Sequence, residues 1–152
     1  MTPVNWDCLA FDALSNAQLY AILQLRQRVF VVEQTCAYLD ADGYDAACLH
    51  LMGWDANSDQ SLIAYARLIP PGIKYAQASV GRVATHPDWR GLGFGKEVMA
   101  QAMERSRAAG WMGPLIIQAQ IYLETFYEGF GFRRITEPYI EDGITHVDML
   151  VE

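Results

Sequence analysis

The chain is short of the residues that would staple it or charge it strongly positive. Its 152 residues include three cysteines, Cys8, Cys36 and Cys48, widely spaced and with no C-x-x-C pair. An odd, scattered set excludes a disulfide framework and lacks zinc-knuckle spacing, so the three are expected to be small core residues in a reducing compartment. Basic residues are scarce: 11 Lys and Arg face 18 Asp and Glu, a formal net charge of −7. Polyanions are held by a cationic face that displaces their counterions, so overall charge argues against nucleic acid and anionic membrane as partners. Cationic or small-molecule partners fit better. No apolar run approaches the roughly 18 residues of a membrane span. Residues 1–12 lack a basic stretch followed by an apolar one, so a cytoplasmic location is expected. Repeats, low-complexity tracts and Ser/Gly linkers are missing too, which predicts one domain over residues 1–152.

What is present is core material. Hydrophobic residues make up 52% of the chain and aromatics 12%, ample for a packed fold and outside the disordered class. A first strand is expected over 5–11. Ser15 is a plausible N-cap for a helix running toward Gln34, with Leu19, Ile22, Leu23 and Arg26 at helical spacing. Residues 38–45 read as a loop, and 48–54 and 62–69 as strands separated by a polar turn at 55–60. A further strand covers 79–85. A helix starts inside the glycine-rich 90–96 and ends at Gly110. Short elements follow: a strand at 115–117, a helix at 122–128, and strands at 132–138 and 146–151. The order β-α-β-β-β-α-β-α-β-β predicts a mixed α/β (α+β) fold, with helices covering a sheet that contains hairpins and at least one strand-helix-strand crossover.

The most informative segment is Val83-Ala-Thr-His-Pro-Asp-Trp-Arg-Gly-Leu-Gly-Phe-Gly-Lys96. It passes from a strand through a tight turn into a helix. Glycines at 91, 93 and 95 allow close backbone approach, and the first-turn amides of a helix have no intrahelical acceptor, which makes a site for phosphate oxygens. Arg90 and Lys96 add positive charge. A Walker loop needs Gly at 90 and Ser or Thr at 97, where Arg90 and Glu97 stand. A G-x-G-x-x-G fingerprint needs Gly at 96 or 98, where Lys96 and Val98 stand. What remains is Arg90-x-x-Gly93-x-Gly95 after a strand ending in His-Pro. This pattern resembles the coenzyme A pyrophosphate loop of the GNAT superfamily of N-acetyltransferases.

A second motif stands in the matching order. Gln120-Ile-Tyr-Leu-Glu-Thr-Phe-Tyr-Glu-Gly-Phe-Gly-Phe132 resembles the family's F-Y-x-x-x-G-F helix. Tyr122, Phe126 and Phe130 form an aromatic stripe that reads as core. The amino-terminal half, with Leu23-Gln-Leu-Arg-Gln-Arg-Val-Phe-Val-Val-Glu-Gln34, Asp40-Ala-Asp-Gly43 and Ala64-Tyr-Ala-Arg67, together with Glu141-Asp-Gly-Ile-Thr-His146 near the other end, resembles the ElaA-type branch of that superfamily. One departure is Ala37, where the branch commonly has Pro after Cys.

The resemblance implies the GNAT acyl-CoA N-acyltransferase fold: a mixed, mostly antiparallel central sheet with a splayed fourth strand, flanked by helices. It implies acetyl transfer from acetyl-CoA to an amine in a ternary complex, with no metal required. Val83, Ala84 and Thr85 would hold the thioester oxygen and the pantetheine amides. Arg90, Gly91, Leu92, Gly93, Phe94, Gly95 and Lys96 would hold the pyrophosphate, and Gln120 the pantetheine arm. Tyr127 matches the usual general acid; its unperturbed pKa of about 10 lies near a thiol's of about 8.5. The general base is left open among Glu33, His50, Glu141 and His146, since a base needs a carboxylate or imidazole facing the acceptor. His86 reads as a turn residue. Asp40, Asp42 and Asp45 lack the order and distal Glu of a calcium loop and read as a solvated turn.

Between Arg82 and Arg107 stand five basic and three acidic residues, a local +2 in a chain whose other residues carry −9. That unevenness suggests a cationic clamp for an anionic cofactor beside a surface suited to a cationic acceptor. Two other readings are a catalytically silent CoA-binding sensor or interaction module, and a nucleotide-binding regulatory domain. The acceptor amine and the oligomeric state, homodimer included, are left open by the sequence.

Overall fold

The longest wholly apolar stretch but for one residue, Leu62–Ile69, becomes a strand in which every position is buried. A strand covered on both faces needs apolar residues on both, not alternation. A computed structural model describes residues 3–57 and 61–152. It places that segment as β3, after β1 (Val4–Ala10) and β2 (Leu49–Asp55) and before β4 (Ala78–Thr85), β5 (Leu115–Gln120), β6 (Arg133–Arg134), β7 (Tyr139–Glu141) and β8 (Ile144–Val151). The sheet order is β1-β2-β3-β4-β5-β8-β6, with β7 paired to β8. Every pairing is antiparallel except β4 with β5. The expected sheet is therefore present, mixed and mostly antiparallel.

Helices cover both faces. On one side lies α1 (Asn16–Arg26), started by a capping box in which the Ser15 hydroxyl accepts from Gln18 N and the Gln18 side chain accepts from Ser15 N. It continues as a wider π-helical segment, Gln27–Glu33. Ile22, Leu25 and Val29 pack on Met52, Tyr65 and Ala84. On the other side α2 (Phe94–Ala108) sets Val98, Met99 and Ala102 against Leu51, Ile63, Ile117 and Val147. The short α3 (Glu124–Glu128) lies on that face too, through Tyr127. Among the described residues no helix is long and apolar enough to cross a membrane.

Expectations of element boundaries and burial are corrected at several places. The strand expected at 132–138 shrinks to Arg133–Arg134, and β8 starts at Ile144, because β7 and β8 form a hairpin. Its turn, Asp142-Gly143, has φ of 52° and 76°, the paired positive values of a type I′ turn that matches strand twist. Of the polar turn at 55–60, Asp55 belongs to β2 and residues 58–60 lie outside the described residues. Of the three cysteines only Cys48 is buried; Cys8 and Cys36 are partly exposed.

The largest correction concerns the loop after the π segment. Asp40 is buried, and neither Asp42 nor Asp45 points freely into water. Arg26 of α1 and Arg67 of β3 are both fully buried, and a buried guanidinium is stable only when paired and hydrogen-bonded. Arg26 donates to Asp45 Oδ1 at 2.7 Å and to the Asp40 carbonyl at 2.9 Å. Arg67 donates to both carboxylate oxygens of Asp42, at 2.7 and 2.9 Å, and to Asp45 Oδ1 at 2.9 Å. Arg82 of β4 donates to Asp40 Oδ1 at 2.8 Å and to Asp42 Oδ2 at 3.2 Å. The three acids are thus counterions to three arginines from three elements.

Removing one cation leaves buried carboxylates short of a partner, so Arg26→Leu is expected to lower unfolding stability by about 3 kcal/mol in urea titration. Acid should act on the same network. Burial opposes ionisation of Asp42 and Asp45, but hydrogen bonds and charge from Arg67 and Arg26 outweigh it and hold both pKa values below the ordinary range. A depressed folded pKa means stability that is present above the unfolded value, about 3.9, and lost as pH falls through the folded one. Thermal melts should therefore fall steeply below about pH 4, and less steeply in Asp42→Asn.

Candidate active site

The cleft exists because two neighbouring strands stop pairing. β4 and β5 are bonded only at Ala78↔Leu115 and Ser79↔Ile116 and then diverge. The cause lies on the other edge of β4. Opposite Tyr65 and Arg67 of β3 stand Ala84 and Gly81, so β4 carries one extra residue there. Arg82, within this bulge, adopts φ of 50°. A bulge bends and twists its strand away from the partner. The backbone cost of a left-handed non-glycine residue, about 1–2 kcal/mol, is offset by the bonds that Arg82 makes to Asp40 and Asp42. The expected splay of the fourth strand is thus present. The opened space is a cleft of about 520 Å³.

Val83, Ala84 and Thr85 line the cleft on the β4 edge that β5 has left. The chain then turns through His86, whose Nδ1 accepts from Asp88 N at 3.1 Å, and Trp89, which packs edge-on against buried Phe94. His86 is the turn residue expected. Gly91 and Gly93 have φ of 78° and 88°, and Gly93 is the N-cap of α2 with no side chain to satisfy the first-turn amides. Arg90, Gly91, Gly93, Phe94 and Gly95 line the cleft; Leu92 and Lys96 are exposed and do not. Of the five bases counted from Arg82 to Arg107, three serve elsewhere in the fold and Arg90 and Lys96 stay at the glycine loop. Arg82 belongs to the aspartate network, Arg105 bonds Gln101, and Arg107 donates to the Trp111 and Gly113 carbonyls past the end of α2.

Tyr127 is buried, 8% exposed, and lines the cleft. Burial first, then the nearby Tyr122 hydroxyl, pushes its pKa up to about 12, so it stays protonated at neutral pH. Its ring meets Phe126 and Phe132 edge-on. The aromatic stripe divides otherwise than expected: Phe126 and Phe130 pack on the core, whereas Tyr122 is 71% exposed at the cleft mouth. Gln120 lines the cleft and donates Nε2 to Gln34 Oε1 at 3.3 Å.

The four base candidates separate by geometry. His50 is fully buried outside the cleft lining. Its Nε2 donates to the Asp45 carbonyl at 2.9 Å, which leaves Nδ1 to accept from Tyr65 Oη at 2.7 Å. Burial lowers its pKa, and both nitrogens are engaged, so it braces the aspartate loop. Glu33 does reach the cleft but is gripped by both Arg90 Nη groups at 2.7 Å. That hydrogen bonding first, opposed by slight burial and aided by the Arg90 charge, holds its pKa below the ordinary carboxylate range. His146 lines the cleft on β8, opposite Gln120 of β5. A carbonyl can only accept, so the 2.7 Å contact with Ile144 O assigns the proton to Nδ1 and leaves the Nε2 lone pair. Tyr139 stacks on the ring at 22°. Glu141, beside the hairpin turn, accepts from Gln118 Nε2.

Residues given no site role by the sequence also line the wall, among them Arg67 of the Ala64-Tyr-Ala-Arg67 motif, Lys74, Tyr75 and Gln118. Arg67 had a signal, a lone charge inside an apolar strand, which demands buried partners. Lys74 and Tyr75 had none, since their position depends on how the loop after Pro70 folds back. Among the described residues no three His, Cys, Asp or Glu side chains gather to hold a metal ion.

The chain resembles known proteins over nearly its whole length. Residues 50–152 match the family model described as an acetyltransferase (GNAT) domain. A Synechocystis protein of the UPF0039 group is 42% identical over 147 residues, covering 97% of this chain and 94% of that protein. Protein ElaA of Escherichia coli is 39% identical over 151 residues. Its crystal structure superposes with a TM-score of 0.90, covering 99% of this chain and all of that one. An acyl-CoA N-acyltransferase from Pseudomonas aeruginosa also reaches 0.90 at 37% identity, with 97% and 99% covered.

The conformation of the glycine loop is open to direct test. No atom lies within 4 Å of a Cβ built at Gly93, so Gly93→Ala alters backbone conformation alone. Urea titration should give a loss of about 1 kcal/mol, with Gly93→Asn, which tolerates a left-handed backbone better, in between.

Proposed function

The chain belongs to the GNAT acetyltransferase family, and from that membership we propose that it transfers an acetyl group from acetyl-CoA to a primary amine by direct attack in a ternary complex. Family membership carries the coarser part, acyl transfer from an acyl-CoA. The observation that supports the finer part is one cleft onto which the glycine loop, the unpaired β4 edge, Tyr127 and His146 all open. Gly91, Gly93 and Gly95, the first-turn amides of α2, Arg90 and Lys96 suit a pyrophosphate. The edge at Val83, Ala84 and Thr85 suits the pantetheine amides, which can bond to it as an added strand does, with Gln120 opposite.

The remaining demands are a base, an acid and donors for developing charge. His146 Nε2 takes the proton that the amine nitrogen loses as it bonds the thioester carbon. Backbone amides of β4 take up charge on the thioester oxygen. As the carbon–sulfur bond breaks, the thiolate receives the Tyr127 phenolic proton. The raised pKa of Tyr127 does not oppose this, since the burial that raises it also raises the proton affinity of a thiolate in the same wall. Glu141 adds a carboxylate that attracts a protonated amine.

Tyr127→Phe should lower kcat about 100-fold while the KM for acetyl-CoA changes by less than about threefold, as expected for a group acting in the transition state. Steady-state assays with acetyl-CoA and an amine panel measure it. Calorimetry with CoA, ATP and NAD provides the companion test. Full turnover in Tyr127→Phe, or CoA binding no tighter than ATP or NAD, would sink the reading; tight CoA binding with no acceptor acetylated would favour a sensor.

A further inference from the structure

Most charges on the cleft wall are already engaged. Arg67 and Arg82 are held by Asp40, Asp42 and Asp45, and Arg90 by Glu33. Lys74 differs. Its ammonium lies 5.7 Å from the ring centroids of both Tyr44 and Tyr75 and, among the described residues, forms no ion pair or hydrogen bond. Burial lowers its pKa, and the like charges of Arg67 and Arg82 lower it further against the pull of Asp42 and Glu141. A half-buried ammonium among cations and aromatic faces is therefore one that an entering anion would stabilise.

Resting on the acetyltransferase reading above, we propose that the acceptor is a small amino carboxylate, with its amine at His146 and Glu141 and its carboxylate on Lys74. The placement follows from the fold. β7 and β8 carry Glu141 and His146 along one side of the cleft. The loop entering β4 carries Lys74 at the closed end, where Ala78 and Ser79 still pair with β5. Tyr75 and Tyr38 line the same cleft. Among the described residues that line the cleft, Lys74 is a cation outside any ion pair and Glu141 and Asp142 are carboxylates outside any ion pair, so a molecule bearing both charges complements the wall better than a diamine. The net acidity of the chain pointed to a cationic acceptor; the charges that face the cleft favour a zwitterion.

The test compares amino acids with their decarboxylated amines: lysine with cadaverine, phenylalanine with phenethylamine, histidine with histamine. In the wild-type protein with acetyl-CoA, kcat/KM should favour the carboxylated member of at least one pair by about tenfold or more, the scale of one charge-assisted contact. Lys74→Met should remove that preference and Lys74→Arg should keep it. A preference that survives Lys74→Met, or its absence from the wild type, overturns the proposal. Calorimetry of the same pairs, with and without CoA, separates it from the reading it rests on. Lys74-dependent binding of an amino acid without acetyl transfer keeps this inference and removes the acetyltransferase. Acetylation indifferent to the carboxylate keeps the acetyltransferase and removes this inference, as does binding of none of the protein amino acids.

Discussion

Three arginines from α1, β3 and β4 converge on three aspartates of one loop, and the shape of the cleft depends on that convergence. Arg67 is the only charge in a strand buried on both faces, so the loop at 40–45 must come to it. The loop then brings Asp40 and Asp42 within reach of Arg82. Those bonds hold the bulge in β4, the bulge turns β4 from β5, and the turn opens the sheet. Arg26 ties the end of α1 to the same loop, at the point where the helix widens toward Glu33. As ion pairs alone the network would add little net stability, because desolvation offsets most of the attraction. Its worth lies in specificity: few other arrangements of these segments leave no buried charge unpaired.

How much of this was legible in the sequence depends on whether a residue's role is local. The N-cap at Ser15, the His-Pro turn and the glycine loop were readable because their physics lies within a few residues of chain. Tyr127 was readable because neighbours on the same helix match a family pattern. The Asp142-Gly143 pair between β7 and β8 is a hairpin signal that a long strand at 132–138 leaves unused. The aspartate loop was misread for a different reason. Its composition is that of a solvated turn, and only the convergence of Arg26, Arg67 and Arg82, up to 42 positions away, converts it to buried counterions. His50 stood among four open candidates for the base because its partners Tyr65 and Asp45 meet only after β2 and β3 pair.

Net charge shows the same limit. A count along the chain located a basic segment, and the fold distributes those bases among unrelated tasks. An arginine holds a bulge, another caps a helix, another bonds a glutamine. What governs ligand chemistry is which charges face the cleft without a partner, and that is a property of the folded surface alone. By that measure the wall of this passage carries, among the described residues, one ammonium and two carboxylates that form no ion pair: Lys74, Glu141 and Asp142.

Arg90 links the two halves of that passage. It stands in the glycine loop, yet both Nη groups are committed to Glu33 at the end of the π-helical segment that follows α1. Both side chains are about two-fifths exposed, and such pairs are worth at most about 1 kcal/mol. An anion arriving at the α2 N-terminus, where backbone amides already favour it, can therefore draw Arg90 away at little cost. Glu33 would then be released into the cleft as a further carboxylate beside Glu141 and Asp142. The weakness of the bond is what makes it informative: a buried pair would fix the loop, whereas an exposed bidentate one holds it in register and yields to a stronger anion.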